Sequence, residues 1–219
     1  MKILILGDTH FPFTNRTALA ATIAFAKTYK PDHIVQVGDF IEGYNWSLYK
    51  RAPDSPSAEM EWNQTELMAT QFFEQLSKFK ITILEGNHCR RYMMRACEVN
   101  IPKRLIKTLS DLFPFDNVNW HMNPEPFMLE NIAFIHGDEM AGTVAMKAKT
   151  LGQSLVQGHT HQASLHYINT FRQQIFGMEV GCLMDSSSIA GRYAIKNPMR
   201  TWTGFATITD GVPSLRPLR

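Results

Sequence analysis

Five short polar motifs contain the residues of this chain whose types and spacing could bind metal ions. Each motif follows a short apolar run: Gly7-Asp8-Thr9-His10, Gly38-Asp39, Gly86-Asn87-His88, His136-Gly137-Asp138 and Gly158-His159-Thr160-His161. Together the motifs supply seven candidate ligands, which are Asp8, His10, Asp39, Asn87, His136, His159 and His161. His88 is an additional histidine that could act on a substrate.

The candidate ligands combine carboxylates, imidazoles and one amide oxygen, and they include no thiolate. This chemistry suits Mn²⁺, Fe²⁺ or Zn²⁺ in a reactive site better than it suits a structural zinc site. The set is larger than one ion needs, so we expect two ions about 3.5–4 Å apart with a bridging carboxylate. A hydroxide held between them would attack phosphorus in line, while a nearby imidazole would protonate or stabilise the leaving oxygen.

Buried strands would place the first three motifs side by side. Residues 3–6, 34–37 and 81–84 are mostly apolar runs, typical of strands buried on both faces. The pattern over residues 15–29 predicts a helix capped by Asn15, so the first two strands are predicted to be parallel. Loops after parallel strands collect at one edge of a sheet, where α/β proteins form ligand sites.

The spacing within the motifs also favours convergence. Asp8 and His10 are two positions apart, as are His159 and His161. Alternate side chains of an extended chain point the same way, so we expect each pair to reach a common centre. The glycine that precedes four of the motifs is expected to let the backbone turn sharply where each strand ends.

The remaining pattern predicts helices and strands throughout the chain. Helices are predicted over residues 58–79, over residues 89–112 with a break near Ile101-Pro102, and over residues 143–151. Strands are predicted at residues 118–121, 127–129, 132–135, 154–157, 165–168, 175–180 and 203–209. The C-terminal third is therefore mostly β, and we expect the βαβ half and the β half to face each other in one sandwich.

The motifs occur in the order DxH, GD, GNH, H and GHxH, and in this order the chain resembles the calcineurin-like metallophosphoesterase superfamily. The resemblance covers residues 1–161. It implies an α/β fold, a four-layered α/β/β/α sandwich with mixed sheets, in one metallophosphoesterase domain over residues 1–219. It also implies a hydrolase with two divalent metal ions, for which we expect Mn²⁺, with Fe, Zn or Ni as alternatives.

The same resemblance divides the candidate residues into two metal sites and one catalytic position. The implied assignments are these: first ion, Asp8, His10 and His161; second ion, Asn87, His136 and His159; bridge between the ions, Asp39; catalytic imidazole that binds no metal, His88.

Two departures from the superfamily pattern bear on catalysis. Many members follow GNH with Asp or Glu, which orients the histidine, whereas this chain has Cys89, expected to be a packed side chain. Either another carboxylate supports His88 or the role of His88 is weakened.

Residues 38–43 also lack the arginine with which the GD-x-x-DRG segment of protein phosphatases holds phosphate. The missing arginine argues against the protein-phosphatase branch, and from the length of 219 residues we expect no capping domain like that of the superfamily's large DNA-repair nucleases.

Composition sets broader limits on the kind of protein. The chain has 219 residues, of which 44% are hydrophobic and 19% are charged, as expected of one globular domain. Its net charge of +2 neither demands nor excludes a nucleic-acid partner. The three cysteines form no CxxC pair, the N-terminus does not resemble a signal peptide, and no apolar run is long enough to span a bilayer. We therefore expect a cytoplasmic protein with no membrane partner.

Three functions are compatible with the sequence. We expect a phosphoesterase that cleaves phosphodiesters in nucleic acid or nucleotides, because the protein-phosphatase arginine is absent and a basic stretch follows His88. The alternatives are a phosphomonoesterase acting on nucleotides or phosphoproteins and a binding scaffold without activity. The substrate and the oligomeric state stay open. The sequence also leaves open which of these residues contact substrate: Trp46, Tyr49, Arg90, Arg91, Arg95, Gly191, Arg192, Tyr193 and Arg200.

Overall fold

The structure, a computed structural model, describes residues 1–192 and 201–218. These residues form two β-sheets and five α-helices joined by loops. Short 3₁₀ turns include Tyr44–Trp46 and Lys103–Leu105. In chain order the strands and helices are β1 (Lys2–Leu6), α1 (Arg16–Tyr29), β2 (His33–Gln36), α2 (Ala58–Gln75), β3 (Lys80–Leu84), α3 (Arg91–Glu98), α4 (Leu109–Leu112), β4 (Val118–His121), β5 (Phe127–Leu129), β6 (Ile132–Ile135), α5 (Val144–Leu151), β7 (Ser154–Gln157), β8 (Ala163–Asn169), β9 (Gln174–Val180), β10 (Gly204–Thr209) and β11 (Val212–Pro217).

Both sheets contain parallel and antiparallel neighbours. The first sheet has the order β11-β10-β1-β2-β3-β4, in which β1 to β4 are parallel and the pairs β1·β10 and β10·β11 are antiparallel. The second sheet has the order β5-β6-β7-β9-β8, with β6, β7 and β9 parallel and both outer strands antiparallel to their neighbours. Parallel neighbours need crossover connections, and helices α1 and α2 lie in the first two of them.

Side-chain alternation along β1 explains the layers of the fold. Ile3 and Ile5 belong to the core between the two sheets, whereas Leu4 and Leu6 belong to the core shared with helices α1 and α2. The second sheet covers the other side of the inter-sheet core, and helix α5 packs on its outer face. The order of layers is therefore α/β/β/α, which confirms the predicted fold.

Local signals predict the helices well at their beginnings and less well at their ends. Helix α1 begins as predicted, because Asn15 Oδ1 accepts a hydrogen bond from Ala18 N at 3.0 Å. Helix α2 ends at Gln75 rather than at the predicted residue 79, although Leu76 and Phe79 still pack against the core. The apolar periodicity continues past the last helical turn, so it does not mark where the helix ends.

Two other regions differ from the prediction. The predicted helices over residues 89–112 are much shorter, because α3 ends at Glu98 and only a 3₁₀ turn and the four-residue α4 follow Pro102. Strand β11 was not predicted, since prolines 213 and 217 are unfavourable in the middle of a sheet. Both are tolerated because β11 is the edge strand of the first sheet.

No helix within residues 1–192 and 201–218 is long and apolar enough to cross a membrane. The assignment of residues 1–219 to one domain and the cytoplasmic location stay predictions. Tyr193 and Arg200, which the sequence suggested as candidates for the site, lie outside the described residues.

An aromatic cluster joins helix α2 to the first sheet and to the loops around the site. Phe73 is fully buried at its centre, where its ring lies 5.2 Å from that of Phe40 and 4.8 Å from that of Phe115. Its ring also contacts those of Phe113 and Trp120. Such packing contributes strongly to stability, since interiors are close-packed and relax only partly around a cavity.

We expect Phe73→Ala to lower the free energy of unfolding by about 3–5 kcal/mol, because the substitution leaves a large cavity in this cluster. Urea unfolding followed by circular dichroism measures the change. Leu67→Ala, on the exposed face of the same helix, is the control and should change stability by less than about 0.5 kcal/mol. Similar losses in both variants would contradict the assignment of the core.

Candidate metal centre

The polar loops after five strands meet at one edge of the sandwich. Three loops follow the parallel strands β1, β2 and β3 of the first sheet, and two follow β6 and β7 of the second. These loops carry all eight residues that the sequence suggested for the site. The structure brings all eight together, in two clusters and one adjacent histidine.

The first cluster consists of Asp8, His10 and His161, all buried, whose candidate ligand atoms lie within 4.8 Å of one another. The Nε2 atoms of His10 and His161 are 3.0 Å apart, and His161 Nε2 lies 3.8 Å from Asp8 Oδ2. One carboxylate and two imidazoles therefore converge on a common point.

The second cluster consists of Asp39, His136 and His159, again with candidate ligand atoms within 4.8 Å of one another. His136 Nε2 lies 3.2 Å from His159 Nδ1. The side-chain oxygen of Asn87 joins them, at 3.0 Å from His136 Nε2 and 3.1 Å from His159 Nδ1. This cluster therefore offers an amide oxygen in addition to a carboxylate and two imidazoles.

Asp39, a member of the second cluster, also faces the first, because its candidate ligand atom lies within 4.8 Å of those of His10 and His88. Its Oδ2 atom is 3.2 Å from His136 Nε2 in the second cluster and 3.9 Å from His10 Nε2 in the first. Its Oδ1 atom accepts a hydrogen bond from His88 N at 2.8 Å. Burial alone would raise the pKa of Asp39, but the imidazoles of His136 and His88 hold it well below its usual range. Asp39 is thus an ionised carboxylate with one oxygen directed at both clusters.

The spacing and the charges of the clusters fit divalent cations. Two ligands bound about 2.1 Å from one ion at right angles lie about 3 Å apart, and the Nε2 atoms of His10 and His161 are separated by 3.0 Å. Asp8 is fully buried, and its Oδ1 accepts no hydrogen bond from the described residues. Burial raises the pKa of Asp8 to about 8, a cost that a neighbouring cation would remove by favouring the carboxylate.

Four of the candidate residues adopt a left-handed backbone, with φ of 49° at His10, 48° at Asp39, 67° at His159 and 57° at His161. Non-glycine residues seldom adopt this region, which costs about 1–3 kcal/mol each and is most frequent at functional sites.

The expectation that His159 and His161 reach a common centre is wrong, because they lie in different clusters. The alternation rule requires an extended chain, and neither residue is extended.

The glycines before the motifs serve two different purposes. Gly38 has φ of 101°, as expected of a sharp turn. Gly86 does not have a positive φ, but a Cβ atom there would lie 2.2 Å from both the backbone nitrogen and Oδ1 of Asp39. At Gly86 the missing side chain therefore permits close approach of two loops rather than a turn.

His88 is supported by Glu42, a buried carboxylate that lies outside the motifs. Glu42 Oε2 is 2.9 Å from His88 Nδ1 and 2.6 Å from His10 Nδ1. Burial alone would raise the pKa of Glu42, but the two imidazoles hold it well below its usual range. A carboxylate accepts hydrogen bonds, so His88 Nδ1 donates the proton and Nε2 is left to face the cleft. Because Cys89 cannot orient His88 as an acidic residue would, either another carboxylate supports His88 or its role is weakened. The structure agrees with support by another carboxylate. The sequence feature that pointed to it was an acidic residue three positions after Asp39.

Arg91 also contacts both members of this pair. It donates to Glu42 Oε1 at 2.8 Å, and its second guanidinium nitrogen lies 2.9 Å from His88 Nε2. A Cβ atom at Gly43 would lie 3.5 Å from Arg91 Cβ. The Arg91 side chain therefore starts beside the position from which the arginine of a DRG segment would project.

The loop that carries His136 is held by several hydrogen bonds. His136 Nδ1 lies 2.9 Å from the carbonyl oxygen of Val37, which leaves Nε2 directed at the second cluster. Glu139 accepts from the backbone nitrogens of His136 and Gly137, and the buried Lys147 donates to the carbonyl oxygen of Gly137 at 2.7 Å. These contacts orient the imidazole.

Cys89 packs beneath the site. Its side chain is buried, and burial raises the pKa of the thiol to about 12. A thiol with this pKa is almost entirely protonated at neutral pH and is a poor nucleophile. The structure thus agrees with the expectation of a packed side chain.

A cleft of about 770 Å³ lies over the two clusters and His88. Tyr49, Arg91 and Arg192 line it, so the structure places these three sequence candidates beside the site. Trp46 instead packs among other aromatic side chains, and Arg90 forms an ion pair with Asp138.

Comparison with known proteins relates this arrangement to one family. The sequence profile of the calcineurin-like phosphoesterase family (Metallophos) matches residues 1–166. The Gene 54 protein of Mycobacterium phage L5 is 25% identical, over 99% of this chain and 91% of that protein. A solved structure described as a novel archaeal phosphodiesterase matches with a TM-score of 0.55 and 14% identity over 100% of both chains. Yfce, a phosphoesterase from E. coli, matches with a TM-score of 0.51 and 15% identity over 98% of this chain and 92% of that chain. At these identities the structural likeness shows the fold alone.

We expect Asp39→Asn to weaken the binding of two Mn²⁺ ions by at least about tenfold each, because the neutral amide removes the charge that faces both clusters. Metal analysis after dialysis against limiting Mn²⁺ measures the bound ions per chain. Asp116→Asn, at an exposed position, is the control and should retain the metal content of the unmodified protein. Two tightly bound ions in the Asp39 variant would contradict the prediction that Asp39 bridges them.

Proposed function

This chain belongs to the calcineurin-like phosphoesterase family, and we propose that it is a dinuclear metal-dependent hydrolase of phosphate esters, most active on phosphodiesters. The observation that carries the proposal is the pair of histidine and carboxylate clusters with Asp39 between them. Such an arrangement supports phosphoryl chemistry, in which most of the work is positioning and charge stabilisation.

The proposed ligands follow the two clusters. The first ion would be held by Asp8, His10 and His161, the second by Asn87, His136 and His159, and both by Asp39. We propose Mn²⁺ as the native ion, with Fe, Zn or Ni as alternatives, because the ligands are nitrogen and oxygen atoms without thiolate. When bound, two such ions would polarise the phosphoryl oxygens and lower the pKa of the hydrolytic water.

His88 is proposed to handle the leaving oxygen. Its Nδ1 atom is tied to Glu42, so the ring is fixed and Nε2 is the atom that can exchange a proton with substrate. Arg91, next to Nε2, would bind a phosphoryl oxygen when the substrate enters. Glu42 is a positioning residue in this scheme, since it acts through His88 and does not contact substrate.

The preference for diesters rests on the sequence and on the cleft. Residues 38–43 lack the arginine that holds phosphate in protein phosphatases, and the cleft of about 770 Å³ is much larger than one phosphate group. One observation favours the runner-up, a phosphomonoesterase acting on nucleotides or phosphoproteins. Arg91 starts beside Gly43 and would supply the missing guanidinium from another part of the chain.

The test compares two chromogenic substrates on metal-free protein refilled with Mn²⁺. We expect bis(4-nitrophenyl) phosphate to be hydrolysed with a higher kcat/KM than 4-nitrophenyl phosphate. A preference for the monoester would establish the runner-up instead. Absence of turnover with two ions bound would favour a non-catalytic binding scaffold and contradict both hydrolase proposals.

We expect His88→Ala to lower kcat for the diester by about 10²–10⁴-fold, the usual contribution of a positioned general acid or base. The bound Mn²⁺ content should stay at two ions per chain, because His88 is not among the proposed ligands. His166→Ala, at an exposed histidine of strand β8, is the matched control and should retain full activity. Unchanged activity in the His88 variant would remove this residue from the mechanism.

A further inference from the structure

The cleft has a cationic wall that the hydrolysis of a single ester does not require. Lys50 and Arg51 line it on the loop between β2 and α2, and Arg91 lines it from α3. We propose that Lys50 and Arg51 form a subsite for a second phosphate group, adjacent to the one that is cleaved. This inference rests on the proposed function and names its substrate class, which is a phosphate ester that carries a neighbouring phosphate.

The loop that carries these cations is held by a buried carboxylate. Glu61 of helix α2 is 2% exposed and accepts hydrogen bonds from the backbone nitrogens of Tyr44 at 2.7 Å and Asn45 at 2.9 Å. Its Oε2 atom also accepts from the Asn45 side-chain amide at 2.6 Å. Asn45 Oδ1 in turn accepts from the Arg51 guanidinium at 2.5 Å. A chain of hydrogen bonds therefore runs from the protein interior to Arg51.

A second anchor comes from helix α3. Arg95 donates to the carbonyl oxygens of Trp46 at 3.0 Å and Ser47 at 2.7 Å. The loop is thus fixed on one side by a buried anion and on the other by an arginine. The fold itself therefore sets the position of this loop and of the two cations that it carries.

The wall keeps an uncompensated positive charge. Arg192 also lines the cleft, but it forms an ion pair with Asp54 at 3.2 Å, and Arg91 is paired with Glu42 at 2.8 Å. Among the described residues, neither Lys50 nor Arg51 has an acidic side chain within ion-pair distance, and Arg51 donates to a neutral amide. Two exposed cations beside a site for phosphate chemistry attract a further anion.

The substrate class follows from this charge and from the aromatic side chains nearby. Tyr44 and Tyr49 line the same wall, and Tyr49 is 83% exposed, so its ring is available for stacking on a base. Adjacent phosphates beside a base occur in an oligonucleotide strand and in a nucleoside polyphosphate. Both share the chemistry that Lys50 and Arg51 would bind, and the experiment separates them.

The test compares substrates that differ only in one additional phosphate. Thymidylyl-thymidine contains the cleavable diester alone, and its 5′-phosphorylated and 3′-phosphorylated forms carry a second phosphate on either side. We expect kcat/KM of the protein with Mn²⁺ to be about tenfold higher for at least one phosphorylated form, a typical gain from one charge-assisted contact. This advantage should shrink as the NaCl concentration rises, because salt screens exposed charges.

The double variant Lys50→Ala/Arg51→Ala should lose this advantage and keep the rate on unphosphorylated dinucleotide. Lys27→Ala/Lys78→Ala removes the same charge at exposed positions outside the cleft and is the control, expected to retain the advantage. An equal kcat/KM with and without the second phosphate would overturn the subsite. Persistence of the advantage in the Lys50/Arg51 variant would also overturn it.

A parallel pair identifies the source of the second phosphate. The 4-nitrophenyl esters of thymidine 5′-monophosphate and thymidine 5′-diphosphate replace the dinucleotides. An advantage that the Lys50/Arg51 variant loses in this pair alone supports a nucleoside polyphosphate, and one that it loses in the dinucleotides supports an oligonucleotide strand. Hydrolysis of bis(4-nitrophenyl) phosphate in the same preparation separates the two proposals: if it is absent, the proposed function fails, and if it is present without any phosphate effect, only the subsite fails.

Discussion

The buried carboxylate of Asp39 connects the two halves of the candidate centre. It follows β2, which lies between β1 and β3 in the first sheet, and its Oδ2 atom faces one imidazole from each cluster. The first sheet alone cannot complete either cluster, because three of the histidines come from loops after β6 and β7 of the second sheet. The site therefore depends on the packing of one sheet against the other.

The packing between the two sheets is apolar. It explains why the site retains left-handed residues and buried carboxylates, although both cost free energy. Side chains such as Ile5 and Val35 of the first sheet meet Phe134 and Val156 of the second in a buried core. Hydrophobic burial there offsets the strain of the left-handed residues and the desolvation of the buried carboxylates. Tight interiors have few alternative arrangements, so this core gives the loops above it a rigid base.

Charge is separated by depth in the cleft. The carboxylates of Asp39 and Glu42 are buried at its floor, whereas Lys50 and Arg51 are exposed on its wall. A floor of carboxylates and imidazoles attracts cations, and a wall of cations attracts phosphates. The same division explains why a small net charge of +2 gave no hint of the substrate, since opposite charges at different depths cancel in the sum.

The sequence alone determined the fold class and the eight candidate residues, because each motif ends an apolar run and parallel strands gather their following loops at one edge. It could not separate His159 from His161 by spacing, since the alternation rule applies only to an extended backbone and both residues are left-handed. Only the tertiary structure decided that Glu42 supports His88, and that Glu61 and Arg95 hold the wall of the cleft. The Glu42–His88 contact spans 46 residues and joins two loops, so the position of Glu42 three residues after Asp39 does not by itself pair it with His88.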